Sequence, residues 1–250
     1  MRTLAIYNLK GGVGKSTSAV NLAYCAAQAG LSTALWDLDD QGAASYVLEP
    51  DSDHELRTKR LIRGKTDLSE ALVPTVYPRL SLVPAASGLR HMDVLLDREK
   101  NSSKVLRGLI GDLARDCDLL ILDCPPSFSV LSENIFKAAD AVIMPLIPAP
   151  LSLRAYERLD DYFREQKLKR RRLFAFFSLV DRRRKLHREW LAAPPAELVN
   201  RLNAFIPYAS VVEQMTLQRA PLGSFAPRSE IAAAYRALWA EIDSRVPEAG

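Results

Sequence analysis

The 250-residue chain is poor in cysteine and histidine, with three of each, and neither set is spaced for chemistry. Cys25, Cys117 and Cys124 lack CxxC spacing and have no histidine at a metal-ligand interval. That argues against a zinc site or a disulfide framework, and the three read as buried reduced thiols. His54, His91 and His187 are scattered and read as surface or packing residues. No apolar run approaches the roughly 20 residues needed to cross a bilayer. There is no Gly/Ser linker and no internal repeat, so one domain over residues 1–250 is expected. The first apolar run follows Met1 almost at once, so neither a secretory signal nor an N-terminal helix-turn-helix domain is expected. A cytoplasmic location is expected.

What is present is ordinary globular composition, 48% hydrophobic and 26% charged, enough to bury a large core. Short apolar runs, Leu4–Asn8, Thr33–Leu38, Leu80–Pro84, Leu119–Asp123, Ala141–Leu146 and Leu173–Val180, alternate with helical patterns. Those patterns lie at Ser16–Ala29, Ser102–Arg115, Val130–Ala139, Ser152–Gln166, Pro195–Leu202 and Ser229–Val246. Near-continuous apolar strands separated by amphipathic helices predict an α/β three-layer sandwich with a mostly parallel central sheet. Right-handed crossovers would bring every strand's carboxyl end to one edge, where function is expected. Asp51–Leu72 is the most polar stretch and reads as an irregular insertion. The Pro-rich piece Pro145–Pro150 reads as a loop after a strand.

The strongest motif is Gly11-Gly12-Val13-Gly14-Lys15-Ser16-Thr17, between an apolar strand and an amphipathic helix. Glycines let the backbone turn so that its N–H groups form an anion nest, and the following helix adds its positive end. This predicts ATP with Mg2+ as ligands. Lys15 would reach the β- and γ-phosphates, Ser16 would ligate Mg2+, and Thr17 would add a phosphate hydrogen bond. Lys10, at the head of the loop, could neutralise charge developing on a transferred phosphoryl group, including one held by a facing subunit. Two acidic stations complete the set. Asp37 and Asp39 close one strand and by alternation point to the same side. Asp123 closes the apolar run Leu119–Asp123 in the manner of a Walker B acid, holding Mg2+ through a water.

Three segments taken together carry a resemblance. Asn8–Thr17, Asp37-Leu38-Asp39-Asp40-Gln41-Gly42 and Ile121-Leu122-Asp123-Cys124-Pro125-Pro126-Ser127 resemble the ParA/MinD deviant Walker A ATPases, and the ParA branch more closely. The resemblance implies a P-loop NTPase fold. It also implies that Lys10 inserts across an ATP-bound homodimer and that Asp39 positions the attacking water. Asp40 departs from the pattern, standing where the family usually has proline.

ParA-like proteins bind DNA non-specifically as ATP dimers, and phosphate neutralisation needs Lys/Arg density rather than base-reading side chains. Positive charge concentrates in Lys167–Arg172 and Arg182–Arg188, on either side of one apolar run. Arg182, Arg183, Arg184, Lys185, Arg219 and Arg228 are the candidate DNA contacts. The resemblance therefore implies a nucleoid-associated positioning ATPase whose hydrolysis a ParB-like or cargo-adaptor protein stimulates. A MinD-like membrane-positioning role is the alternative. The acidic, proline-interrupted tail Ala240–Gly250 makes a poor anchor for anionic lipid, so no membrane partner is expected. A metal-cluster carrier would want paired interface cysteines, which Cys117 and Cys124 do not supply.

Overall fold

The computed structural model describes residues 1–48, 58–63, 65–99, 101–169 and 172–246. Its centre is a seven-stranded sheet: β1 (Arg2–Ile6), β2 (Thr33–Asp37), β3 (Val73–Pro74), β4 (Leu80–Val83), β5 (Leu119–Asp123), β6 (Ala141–Leu146) and β7 (Leu173–Phe177). The order across the sheet is β3-β4-β2-β5-β1-β6-β7. All neighbours are parallel except β3 against β4. Residue alternation sends each strand's side chains to two cores. Leu4, Ile6, Leu35, Ile121 and Phe176 enter one, and Ala5, Trp36, Leu122, Met144 and Phe177 the other.

The first core is covered by α1 (Lys15–Gln28), α2 (Ala43–Leu48), α9 (Gln214–Gln218), α10 (Leu222–Phe225) and α11 (Glu230–Arg245). The second lies under α3 (Thr58–Ile62), α4 (Met92–Asp97), α5 (Ser102–Asp112), α6 (Val130–Ala138), α7 (Pro150–Glu165) and α8 (Lys185–Ala192). Several ends are written in sequence. Pro150 opens α7, where a missing N–H costs nothing. Ser229 caps α11 by accepting from the Ala232 N–H at 3.2 Å. The expected three-layer α/β architecture is the one observed.

Two expectations are corrected. No helix forms over Pro195–Leu202. The chain turns there and then runs beside β7, with Leu202 N–H donating to the Ala175 carbonyl at 2.7 Å and Ile206 N–H to that of Phe177 at 2.8 Å. β7 is otherwise an open edge, and pairing its carbonyls outweighs a weak local helix preference opened by two prolines. Pro145 lies inside β6, as the apolar run Ala141–Leu146 implies, so the loop expected over Pro145–Pro150 begins only after Leu146. Pairing of β1 with β6 ends at Ile143, so the missing N–H of Pro145 breaks no ladder bond. Of the polar stretch 51–72, residues 51–57 and 64 lie outside the described residues; the remainder carries α3 and a 3-10 turn at Leu68–Ala71.

Candidate functional site

The loops leaving β1, β2, β5, β6 and β7 meet at one edge because those strands run parallel. The first of them is the phosphate-type loop. Gly12 and Gly14 take φ of 70° and 89°, conformations that favour glycine, and a Cβ on Gly14 would stand 3.1 Å from Ser178 Oγ. Gly14 is the N-cap of α1, and Ser18 N–H donates to its carbonyl at 2.9 Å. Lys10 is fixed at both ends of its peptide. Its N–H donates to Asn8 Oδ1 at 3.0 Å, and its carbonyl accepts from Lys15 Nζ at 3.2 Å. Asn8 is itself tied down, its Nδ2 donating to the Pro145 carbonyl at 2.7 Å. The sequence reading named Asn8 only as part of a motif; a buried amide in that motif was the available signal for its bracing role.

Lys15, Asp39 and Asp123 come together electrostatically. Burial lowers the Lys15 pKa, and the charges of Asp123 and Asp39 oppose that shift. Asp123 is fully buried, and neither carboxyl oxygen has a hydrogen-bond partner among the described residues. Burial, reinforced by the Asp37 charge, raises its pKa well above the usual carboxylate range. The Ser16 hydroxyl and Lys15 pull the other way, although Ser16 falls short of hydrogen-bond geometry. An unpaired buried carboxylate costs several kcal/mol on the scale of buried-ion energetics. A hard divalent cation fits this donor set: Asp123 carboxylate oxygens and the Ser16 hydroxyl, with an anion nest beside them. Gly11, Val13 and Thr17 lie on the same loop and first helical turn.

Asp37 and Asp39 part company. Asp37 accepts from Ser45 N–H and Ser45 Oγ, both at 2.8 Å, and from Asp39 N–H at 3.2 Å. Burial still pushes its pKa up to about 6. Ser45 Oγ also accepts from Ala85 N–H at 2.8 Å, tying α2 to β2 and to the loop after β4. Asp37 is thus an anchor, a role the alternation argument did not separate from that of its neighbour. Asp39 stays partly exposed, accepting from Gln41 N–H at 3.1 Å at the head of a turn closed by Gly42.

The basic candidates fall on three separate segments. Arg182, Arg183 and Arg184 are exposed on the loop after β7, and Lys185 is exposed at the first residue of α8. Asp181 holds Arg183 through Nε and Nη2, each at 2.9 Å. Arg182 stacks 5.3 Å from the Phe205 ring centroid, and Lys185 lies 3.6 Å from Glu189. The loop is braced from beneath. Buried His187 accepts the Asp181 N–H on Nδ1 at 3.0 Å, and Arg188 donates to the carbonyls of Arg182 and Arg183 at 2.8 Å. Arg219, with φ 47°, ends α9 with its guanidinium 4.4 Å from the Tyr46 ring centroid on α2. Arg228 is exposed just before α11. Arg170 and Arg171 of the other basic tract lie outside the described residues, as do His54 and residues 247–250 of the tail.

Comparison with known proteins places this geometry. Residues 1–174 match the family described as AAA domain. The chain is 39% identical over 146 residues to chromosome partitioning protein ParA of Myxococcus xanthus, a match taking in 58% of this chain and 52% of that protein. It therefore spans about half the length of that relative. It is 29% identical over 249 residues to chromosome-partitioning ATPase Soj of Treponema pallidum, covering 98% of both. Among solved structures it resembles cobyrinic acid a,c-diamide synthase from Mycobacterium smegmatis with bound ADP and magnesium. There the TM-score is 0.78 and the identity 26%, over 100% of this chain and 99% of that one. With its glycine-rich loop, second lysine and strand-terminal aspartates, the chain belongs to the ParA/MinD family of P-loop ATPases.

Proposed function

We propose that the protein is a ParA-type positioning ATPase that binds ATP with Mg2+, dimerises around it, and in that state holds DNA non-specifically. The observation that carries this reading is the pair of buried, unpartnered Asp123 oxygens beside Lys15, Ser16 and the glycine loop. Such a site is completed by a cation that brings an anion with it. Bound magnesium would supply neutralisation of charge between the carboxylate and the phosphates. The loop N–H groups of Gly11–Ser16 cradle phosphate oxygens, Lys15 leaves the Lys10 carbonyl for the phosphates, and Thr17 adds a hydrogen bond. Asp39 orients water for attack on the γ-phosphate. Lys10, its backbone held by Asn8 and Lys15, projects its ammonium to the nucleotide of the facing copy. We read residues 1–250 as one unit, since α11 packs on α1.

DNA contact is assigned to Arg182 and Arg184 on the braced loop and to Lys185 at the start of α8, with Arg183, Arg219 and Arg228 as further cations. An adaptor of the ParB type on the cargo would stimulate hydrolysis, and the dimer would be nucleoid-associated in the cytoplasm. The membrane-positioning alternative has less support. α11 buries Ile231, Tyr235, Leu238, Trp239 and Ile242 in the protein's own core, so that apolar face is not open to lipid. Among the described residues no helix is long and apolar enough to cross a membrane.

The deciding experiment compares particle mass and DNA retention with ATP and with ADP. ATP should double the mass and confer salt-sensitive retention on any duplex sequence. A monomer that ignores DNA with either nucleotide would overturn the reading.

A further inference from the structure

A cavity of about 170 Å³ lies between α1, α10 and α11, further along α1 than the phosphate-type loop, and the proposed function does not use it. Its walls are set by contacts that leave them little freedom. Gly223 of α10 has no room for a side chain, because a Cβ there would stand 2.5 Å from Cε1 of Tyr24. The Tyr24 ring also meets the Tyr77 ring edge to face, with centroids 5.3 Å apart, so it is wedged between two neighbours. Tyr235 of α11 is buried, and its hydroxyl shares a hydrogen bond with Ser18 Oγ at 3.4 Å. Asn21 is committed to three bonds. Its Nδ2 donates to the Thr17 carbonyl at 2.8 Å and to Met215 Sδ at 3.3 Å, and its Oδ1 accepts from Leu222 N–H at 2.9 Å. The cavity is therefore preformed, as ligand sites usually are, and these side chains do not turn to fill it.

Two tyrosine rings supply the apolar wall, and Cys25, Gln28 and Arg236 bring further polar groups. None of the lining residues carries a carboxylate. Arg236 is exposed, donates through Nη1 to the Pro227 carbonyl at 3.1 Å, and has no ion pair among the described residues. Its charge reaches the half-buried Cys25 thiol, where it opposes the rise in pKa that burial causes. After one hydrogen bond a guanidinium keeps further N–H donors in a planar fork, which suits a carboxylate. Size sets the rest. A cavity of about 150 Å³ admits benzene, so this one takes a single ring with a small substituent and is too small for a nucleotide or a helix.

We infer that this cavity is an effector site for a small aromatic carboxylate, with the ring against Tyr24 and Tyr235 and the carboxylate on Arg236. Two short routes lead from its walls to the phosphate-type loop. Asn21 holds the Thr17 carbonyl and Tyr235 holds Ser18, and both of those residues lie in the first turn of α1. A ligand bearing on either wall is thereby coupled to whatever the loop binds. The site goes beyond the proposed function and stands without it; only the coupling to ATP rests on that reading.

The test titrates benzoate, and benzamide as its neutral counterpart, into the full chain, first without nucleotide. Ligand-observed NMR should show saturable benzoate binding with a dissociation constant of about 1 mM or below, the scale for one ring and one charge pair. Arg236→Gln, an exposed change outside the phosphate-type loop, should weaken benzoate at least about tenfold and leave benzamide unmoved. Cys25→Phe, which fills the cavity, should remove both ligands at a near-native unfolding midpoint; if that variant does not fold, Arg236→Gln decides. No saturable binding at about 10 mM benzoate would overturn the inference, and so would binding that Arg236→Gln does not weaken. Saturating benzoate should also change the ATP dissociation constant at least about threefold, and ATP should change that of benzoate by the same factor. Benzoate binding with neither constant moved would overturn the effector role. A protein that binds benzoate in this way but does not bind ATP would count against the proposed function alone.

Discussion

Asp37 and Asp123 end neighbouring strands in register, both fully buried, yet their surroundings are opposite. Asp37 receives three hydrogen bonds, two of them from Ser45. Asp123 receives none among the described residues. Burial raises both pKa values, so neither is there because the interior welcomes a carboxylate. The first is retained because it organises a turn and docks α2. The second lies within reach of the Lys15 charge and has no donor among the described residues, which is why the proposed function gives it a cation. Two aspartates that look alike in sequence thus differ in a count of donors rather than in depth, and the proposed function reads the first as scaffold and the second as ligand.

The contrast can be tested from its strongest consequence downward. Lys15→Ala removes the ammonium that lies near Asp123 and that the proposed function assigns to the phosphates, and should weaken ATP binding at least about a hundredfold. Calorimetric titration reads this directly, and near-native affinity would separate Asp123 from any phosphate site. Next, Asp123→Asn and Asp37→Ala should move stability in opposite directions in the nucleotide-free protein. The asparagine replaces an uncompensated buried carboxylate and should raise the unfolding midpoint by a few degrees, about 2–4 °C per kcal/mol for a chain of this size. It should also abolish magnesium-dependent turnover. Asp37→Ala strands the Ser45 and Asp39 N–H groups and should cost about 2–4 kcal/mol in urea unfolding. Shifts of the same sign would dissolve the distinction. Smaller again is Asp39→Ala. ATP affinity should stay within about twofold while turnover falls at least about tenfold, the size of a lost water-positioning or acid–base group. Unchanged turnover would remove Asp39 from the reaction.

Much of this was legible beforehand, for identifiable reasons. The six longer strands are near-continuous apolar runs because both sheet faces are covered, and their expected bounds lie within about three residues of those observed. β3 was not expected, being two residues long and ending in Pro74. α2, α9 and α10, of four to six residues, are too short for a helical period to show, and their positions are set by tertiary contacts. The glycine loop and Asp123 stood out because of their residue types and spacing, and the structure brings Lys15 and Ser16 of that loop to Asp123. The partners of Asn8, Ser45 and His187 could not be read, since Pro145 and Ala85 are distant in sequence, and the nearer contacts with Asp37 and the peptide of Asp181 depend on how the intervening loops fold. Strand alternation placed Asp37 and Asp39 on one side, but it carries no information about which of them the serine of the next helix would reach.

That serine offers the finest test of the comparison. Ser45→Ala deletes a hydroxyl that donates to Asp37 and accepts from the Ala85 N–H. Alone it should cost about 1–2 kcal/mol, one net hydrogen bond and one stranded buried donor. In the Asp37→Ala background only the Ala85 contact remains to be lost, so the same substitution should cost less. A double-mutant cycle in urea should therefore return a coupling of about 0.5–1.5 kcal/mol. Additivity within about 0.3 kcal/mol would mean that the hydroxyl does not hold the carboxylate. The orientation of Asp37 would then rest on backbone N–H groups alone, and the difference from Asp123 would be one of loop geometry rather than of donor supply.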